Sequence, residues 1–356
     1  MAAHHSRHGQ ANTGPAGDLP VEVSINRQAG PLRDMPAAAR AAEQAGFDAL
    51  RIGDMQSTSR ELYTTLTMIA ASTSVMKFGS GVTNPVTRHP SVAASAFASL
   101  HELSGGRVVM GIGPGDSAVH NSGISPAKLA DLEEYVTTVR SLHTTGRATY
   151  RGKTVALDWW TGEAVPIVMS AHGPRSLRLA GRVADGVVVG LGMGAAAREL
   201  AAEQIARGAQ DAGRDPSQIA VWHLSYLNIA DSVEKAAAQV GSVLAVGGNL
   251  LARSAGRVVI PDALRPAFDE LAQRYDYIRH ADSAATSPNA ALIEELGLID
   301  YLAEQFGVFG TPRQIRTRLQ DLAGVGVSRH WGGYVLPDYF DFCQTWGSDV
   351  VGRVDA

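Results

Sequence analysis

Gly105-Gly106-Arg107-Val108-Val109-Met110-Gly111-Ile112-Gly113-Pro114-Gly115-Asp116-Ser117 is the stretch that decides the fold. A Gly-Gly turn feeds a short apolar run that reads as a strand. The run ends in alternating glycines and a carboxylate. Glycines at a strand end let the backbone approach a flat ligand closely. A single glycine pair would read as a tight strand-to-helix turn capped by Asp116; three glycines and an acid favour a ligand loop. A dinucleotide fingerprint is the weaker alternative. Asp116 fills the third glycine position of G-x-G-x-x-G, and the motif follows the fourth candidate strand rather than the first.

Outward from this strand, short β-rich runs alternate with longer Ala-rich stretches. The runs are 21–25, 49–52, 77–82, 107–112, 166–170, 186–189, 221–229 and 326–331. Helical candidates fall between them at 35–44, 63–72, 92–103, 127–142, 175–182 and 195–210. Such alternation argues for a parallel sheet with helical crossovers. Eight candidate strands, in a chain longer than the ~250 residues usual for the fold, predict an α/β protein, a closed (β/α)8 TIM barrel. An insertion is expected between the seventh and eighth strands, across about 231–306, largely helical and broken at Pro261, Pro266 and Pro288. Residues 1–20 lack periodicity and are expected to be a disordered leader, with 21–356 forming one barrel domain.

Composition narrows the function classes. A net charge of −4 with no long run of one sign argues against nucleic-acid and anionic-membrane partners. The single cysteine, Cys343, excludes an internal disulfide and a cysteine-rich metal site. No apolar stretch is long enough to span a bilayer. His4, His5 and His8 belong to the leader, so no metal is expected. The leader lacks a signal peptide's apolar core, which predicts a cytoplasmic protein.

In a barrel of this kind the chemistry sits on the loops that follow the strands. Ser170-Ala171-His172-Gly173-Pro174-Arg175 joins a strand to a helix that starts at Pro174 or Arg175. Proline suits that first position, small residues before it leave backbone N–H groups free, and such a helix start binds anions. An ordinary connection explains the loop equally well. Gly79-Ser80-Gly81-Val82-Thr83-Asn84-Pro85 ends another strand, where glycine marks a bulge or a close ligand; Thr83 and Asn84 would then face the mouth. Here the plain-loop alternative leaves Arg88 solvated. Asp54, Met55 and Gln56 follow the second strand and Asn26 the first, and Gly190 to Gly194 read as a flexible loop that could pack over a cofactor, with Gly190 a cofactor-binding candidate. His120 lies within a turn of Asp116. Trp159, Trp160 and Trp331 either line a pocket or fill the core, and the facing of His223 and Tyr226 stays open.

Together these segments resemble the luciferase-like superfamily of flavin- and deazaflavin-dependent oxidoreductases, with the nearest likeness to methylene-tetrahydromethanopterin reductases and their actinobacterial relatives. The likeness rests on Thr83-Asn84-Pro85 with Arg88 and His89-Pro90, on Glu102-Leu103-Ser104-Gly105-Gly106-Arg107, on Gly111 to Asp116, on Ser170 to Gly186, and on Gly310-Thr311-Pro312. It implies a barrel with an isoalloxazine-like ring across its mouth and a non-prolyl cis peptide at Gly81–Val82 against that ring. It also implies ring hydrogen bonds from Thr83 and Asn84, contacts from Gly113 and Gly115, and a cofactor phosphate at Ala171, His172, Gly173 and Pro174. Asp116 matches the position of a Glu proposed as proton donor in sugar-phosphate dehydrogenases of the superfamily; a carboxyl buried beside a cofactor can have a raised pKa and act as an acid. Asp54 and Asn26 are further catalytic candidates. Many deazaflavin members carry Asp-His after the second strand, where this chain has Asp54-Met55, so an imidazole suited to sugar-phosphate or secondary-alcohol chemistry is absent. Met55, Gln56, His120 and Trp331 are candidates for the substrate pocket.

The resemblance implies hydride transfer with coenzyme F420 to or from a small organic substrate. Two alternatives stand beside it. One is an FMN-dependent two-component monooxygenase served by a separate reductase; the other is a non-catalytic flavin-binding protein. Relatives are commonly dimers or tetramers, so a homodimer or homotetramer is expected.

Overall fold

Short runs of Val, Ile and Leu form strands here because both faces of a barrel wall are buried, by the interior on one side and by helices on the other. A computed structural model of the chain describes residues 19–160, 162, 164–253, 259–277, 279, 282–333 and 338–352. The expected leader lies outside these residues except for Leu19 and Pro20.

In chain order the strands are β1 (Glu22–Arg27), β2 (Ala49–Ile52), β3 (Lys77–Ser80), β4 (Val108–Ile112), β5 (Arg147–Tyr150), β6 (Lys153–Ala156), β7 (Ile167–Ala171), β8 (Gly186–Val189), β9 (Ala220–Ile229), β10 (Gly307–Gly310) and β11 (Arg329–Gly332). Eight of them close a parallel barrel in the order β1-β2-β3-β4-β7-β8-β9-β11. The ring closes where β8 meets β9, with Gly186 opposite Ala220, and where β11 meets β1, with Glu22 opposite Arg329. Each helix expected between the strands is present, and Thr311 and Gln314 form a capping box at the start of Pro312–Gly324.

Three features depart from the sequence reading. The third strand stops at Ser80 rather than Val82; the Gly81–Val82 peptide bond that follows is cis, and Thr83 pairs again by one bridge to Ile112. The antiparallel hairpin β5–β6 was not expected: each strand has four residues, and mostly exposed ones, so its alternation is too short to stand out. Strand β10 was not expected either. It follows helix Ile299–Phe306 without a turn and pairs with the far half of β9, where Gly307 faces Tyr226. The segment between β9 and β10 is helical, as Val233–Gln239, Gly241–Arg253, Arg265–Arg274, Pro288–Glu295 and Ile299–Phe306.

Strand alternation sorts the barrel into two faces. Ile25, Leu50, Ile52, Phe78 and Met110 point outward and are fully buried under the helices. Inside, Trp222 and Trp331 cross edge to face at 6.3 Å, surrounded by Val109, Val168 and Val188. Glycines on the inner face make room for them: a Cβ at Gly186 would lie 2.4 Å from the Trp222 ring.

The outer face carries a pH-sensitive pair. His223 and His330 are register partners on β9 and β11, 5% and 0% exposed. Burial, helped by Arg198 for His223 and by His223 and Arg318 for His330, pushes each imidazole down to about 4. With folded values below the unfolded one, the unfolded chain binds more protons between pH 6.5 and 4, so stability must fall as pH drops through that window. Urea denaturation is expected to show a loss of roughly 2 kcal/mol per imidazole between pH 7.5 and 5, with a smaller loss in His330→Gln. Equal slopes in the two proteins would refute the assignment.

Candidate functional site

At the C-terminal ends of the barrel strands the inner face opens into a cavity of about 350 Å³. Its floor and near wall come from β1 to β4. Asn26, the last inward residue of β1, is 4% exposed and donates its Nδ2 to the Gly81 carbonyl at 2.9 Å. Its Oδ1 is buried with no partner among the described residues. A Cβ at Gly81 would lie 2.5 Å from that oxygen and 2.7 Å from Cβ of Arg51, so the position accepts only glycine. Val82, which follows the cis bond, lines the cavity beside Thr83, Asn84, Gly113 and Gly115. A Cβ at Gly113 would come within 3.2 Å of the Val82 side chain, a tight contact.

Asp54, 3% exposed, is an anchor. Its carboxylate accepts from Thr83 Oγ1 at 2.5 Å, from Arg88 Nη1 and Nη2 at 2.5 and 3.2 Å, and from Gln56 Nε2 at 3.0 Å. Arg88 is thus paired rather than solvated, and its guanidinium also lies 4.8 Å from the centroid of the Tyr63 ring. Asn84 turns its Oδ1 back onto the N–H groups of Val86 and Thr87, 3.0 Å each, and so shapes its own loop. Met55 lines the wall, whereas Gln56 is exposed outside it.

The far wall comes from β7 to β9 and β11. Ser170 and His172 face inward with Ser170 Oγ 3.1 Å from His172 Nε2. Burial pushes the imidazole below the ordinary histidine range, against the opposing pull of the Asp116 carboxylate. A Cβ at Gly190 would meet the same ring at 1.9 Å, so Gly190 serves by leaving space. Ala171, Gly173, Pro174 and Arg175 do not line the cavity, and Arg175 is exposed. Two N–H groups of this loop, those of His172 and Gly173, donate to Ser176 Oγ at 3.2 and 3.1 Å and close a local cap.

Asp116 lines the rim of the cavity and is exposed there. The reason is local: the chain turns into the short helix Ser117–His120 beside open solvent. His120 is likewise exposed and outside the cavity, with its ring 6.5 Å from that of Tyr277. Trp331 is part of the wall, Trp160 is core and Trp159 is 49% exposed.

Sequence reasoning missed the roof. Helix Gly241–Arg253 brings Ser242, Val243, Val246 and Leu250 over the cavity, and Asp282 joins them, bound to Arg279. No local motif marks these residues. Leu224 and Tyr226 face inward while His223 faces outward, as alternation along β9 requires once one facing is known. Among the described residues no three His, Cys, Asp or Glu side chains converge on a metal site, and no helix is long and apolar enough to cross a membrane.

A family model described as luciferase-like monooxygenase matches residues 9–329. The chain belongs to this family. Among luciferase-like relatives, the 5,10-methylenetetrahydromethanopterin reductase of Methanolobus tindarius is 32% identical over 90% of this chain and 97% of its own length. The F420-dependent hydroxymycolic acid dehydrogenase of Mycobacterium tuberculosis is 35% identical over 58% of this chain and 61% of its own. The coenzyme F420 dependent tetrahydromethanopterin reductase from Methanopyrus kandleri superposes with a TM-score of 0.73 at 23% identity, over 93% of this chain and 98% of that one, which shows a shared fold.

Proposed function

We propose that this chain is a coenzyme F420-dependent oxidoreductase that moves a hydride between the deazaflavin and a small organic substrate. The observation that carries the reading is the floor of the cavity. Asn26 carries a buried oxygen there with no partner among the described residues, and Gly81 and Gly113 line the cavity with backbone alone. A flat ring with a hydrogen-bond donor fits such a floor. The F420-dependent names of relatives such as the hydroxymycolic acid dehydrogenase favour the deazaflavin over FMN. When bound, the coenzyme accepts or donates the hydride. The protein orients: Asn26 holds the Gly81 carbonyl, Asp54 fixes Thr83, and the helix carrying Val243, Val246 and Leu250 keeps water from the reacting face. Asp116 and His172 are the groups placed to hold or exchange a proton at the rim.

Titration of the purified protein with F420 and, separately, with FMN tests this. Quenching of F420 fluorescence with micromolar or tighter affinity, about −8 kcal/mol or better, and no FMN binding are expected. Tight FMN binding with oxygen uptake would establish a monooxygenase instead, and binding of neither would refute the enzyme reading.

A further inference from the structure

Arg51 is a charge that the site as described does not use. It is the inward residue of β2 one layer below Gly53, which lines the cavity, and it is 1% exposed. Its guanidinium lies 4.6 Å from the centroid of the Trp331 ring, and that ring is part of the cavity wall. Nε and Nη1 have no hydrogen-bond partner among the described residues. The opposite charge that reaches it is Glu22, at the N-terminal end of β1, and Glu22 is already engaged by Trp222 Nε1 at 3.0 Å and Arg329 Nε at 3.3 Å. Burial lowers the Arg51 pKa only to about 10, so the group is a cation at neutral pH.

The other charged groups around the cavity are accounted for. Asp54 is matched by Arg88 and Asp282 by Arg279, Asp116 is exposed to solvent, and burial disfavours the charged form of His172. Lys77, on β3 two inward layers below Gly81, is exposed. A buried cation whose nearest opposite charge is shared with other partners costs stability, and a low dielectric extends its field to whatever lies above it.

We propose that Arg51 acts through Trp331 and the cavity floor to favour the anionic form of the ring bound above it. In the F420 reading, on which this inference rests, the ionising group is the aromatic hydroxyl of the deazaflavin. Its O–H bond breaks, the proton passes to solvent, and the electron pair spreads through the conjugated ring. Arg51 is a positioning charge that touches neither coenzyme nor substrate.

The ionisation is read directly from the absorption spectrum of bound coenzyme, without any substrate. F420 is titrated from pH 5 to 9 on the wild-type protein and on Arg51→Met and Arg51→Lys. On the wild type the midpoint is expected below that of free F420. Arg51→Met should raise it by about one pH unit, Arg51→Lys should restore most of the shift, and the melting temperature of Arg51→Met should equal or exceed that of the wild type. A wild-type midpoint no lower than that of free coenzyme overturns the proposal even if Arg51→Met does not fold, as does an unchanged midpoint in a folded Arg51→Met. If the wild type does not bind F420, the coenzyme reading itself falls and this inference goes with it.

Discussion

Gly79→Ala is expected to lose at least about 3 kcal/mol of stability, at the upper end of what overpacking costs. A Cβ there would stand 1.8 Å from the Val109 carbonyl oxygen and 3.2 Å from Arg51 Nη1. The first contact is decisive, because it is with the backbone of the paired strand β4 and no rotamer change relieves it. The barrel would have to separate β3 from β4 directly beneath the cavity floor. Gly324→Ala is the control. It lies in helix Pro312–Gly324 with nothing within 4 Å of the added carbon, and the exchange should be neutral or stabilising by up to about 1 kcal/mol. Urea denaturation of both variants provides the comparison, and similar midpoints for the two would show that the strand contact is not what Gly79 is kept for.

Asp54→Ala should be nearly as damaging, and in two measurements at once. The substitution strips Arg88 of both carboxylate contacts and Thr83 and Gln56 of one each. Breaking a buried pair from one side costs roughly 3–5 kcal/mol. Glu61, 3.1 Å from Arg88, keeps part of the compensation, so about 3 kcal/mol is the expected loss. Thr83 would lose the bond that fixes its hydroxyl at the cavity, and F420 affinity should drop at least tenfold, about 1.4 kcal/mol. Double replacement with Arg88→Met should recover stability without recovering affinity, since it removes the orphaned cation but leaves Thr83 unheld. Wild-type affinity in Asp54→Ala would remove Thr83 from the coenzyme site.

The candidate site was legible to an uneven degree. Asn26, Asp54, Met55, Gly81 to Asn84, Gly113, Gly115, Ser170, His172 and Trp331 meet at one cavity because each lies at or just past the C-terminal end of a parallel strand, and that property can be read locally. Asp116 lies at the mouth, as its place after a strand implies, while its exposure depends on what the rest of the chain covers. The anion loop illustrates the same limit. The small residues before Pro174 do shape a helix start, yet Ser176, three residues beyond the cap, takes two of its donors.

The sequence by itself determined the barrel, its strand order and the loops that bear the site. Glycine punctuation, strand and helix periods and helix caps act over a few residues, and eight such units in succession leave little choice of topology. Only the tertiary structure decided the pairing of Asp54 with Arg88, the short strand β10, the roof from helix Gly241–Arg253, and the seat of Arg51 under Trp331, where its Nε and Nη1 find no partner among the described residues. These depend on contacts between residues tens to hundreds of positions apart, where burial and charge compensation are settled by which side chains share a space. The loop at Gly105 to Ser117 therefore announces a ligand-binding barrel, while the charge that we propose acts on the ligand comes from a strand more than fifty residues earlier.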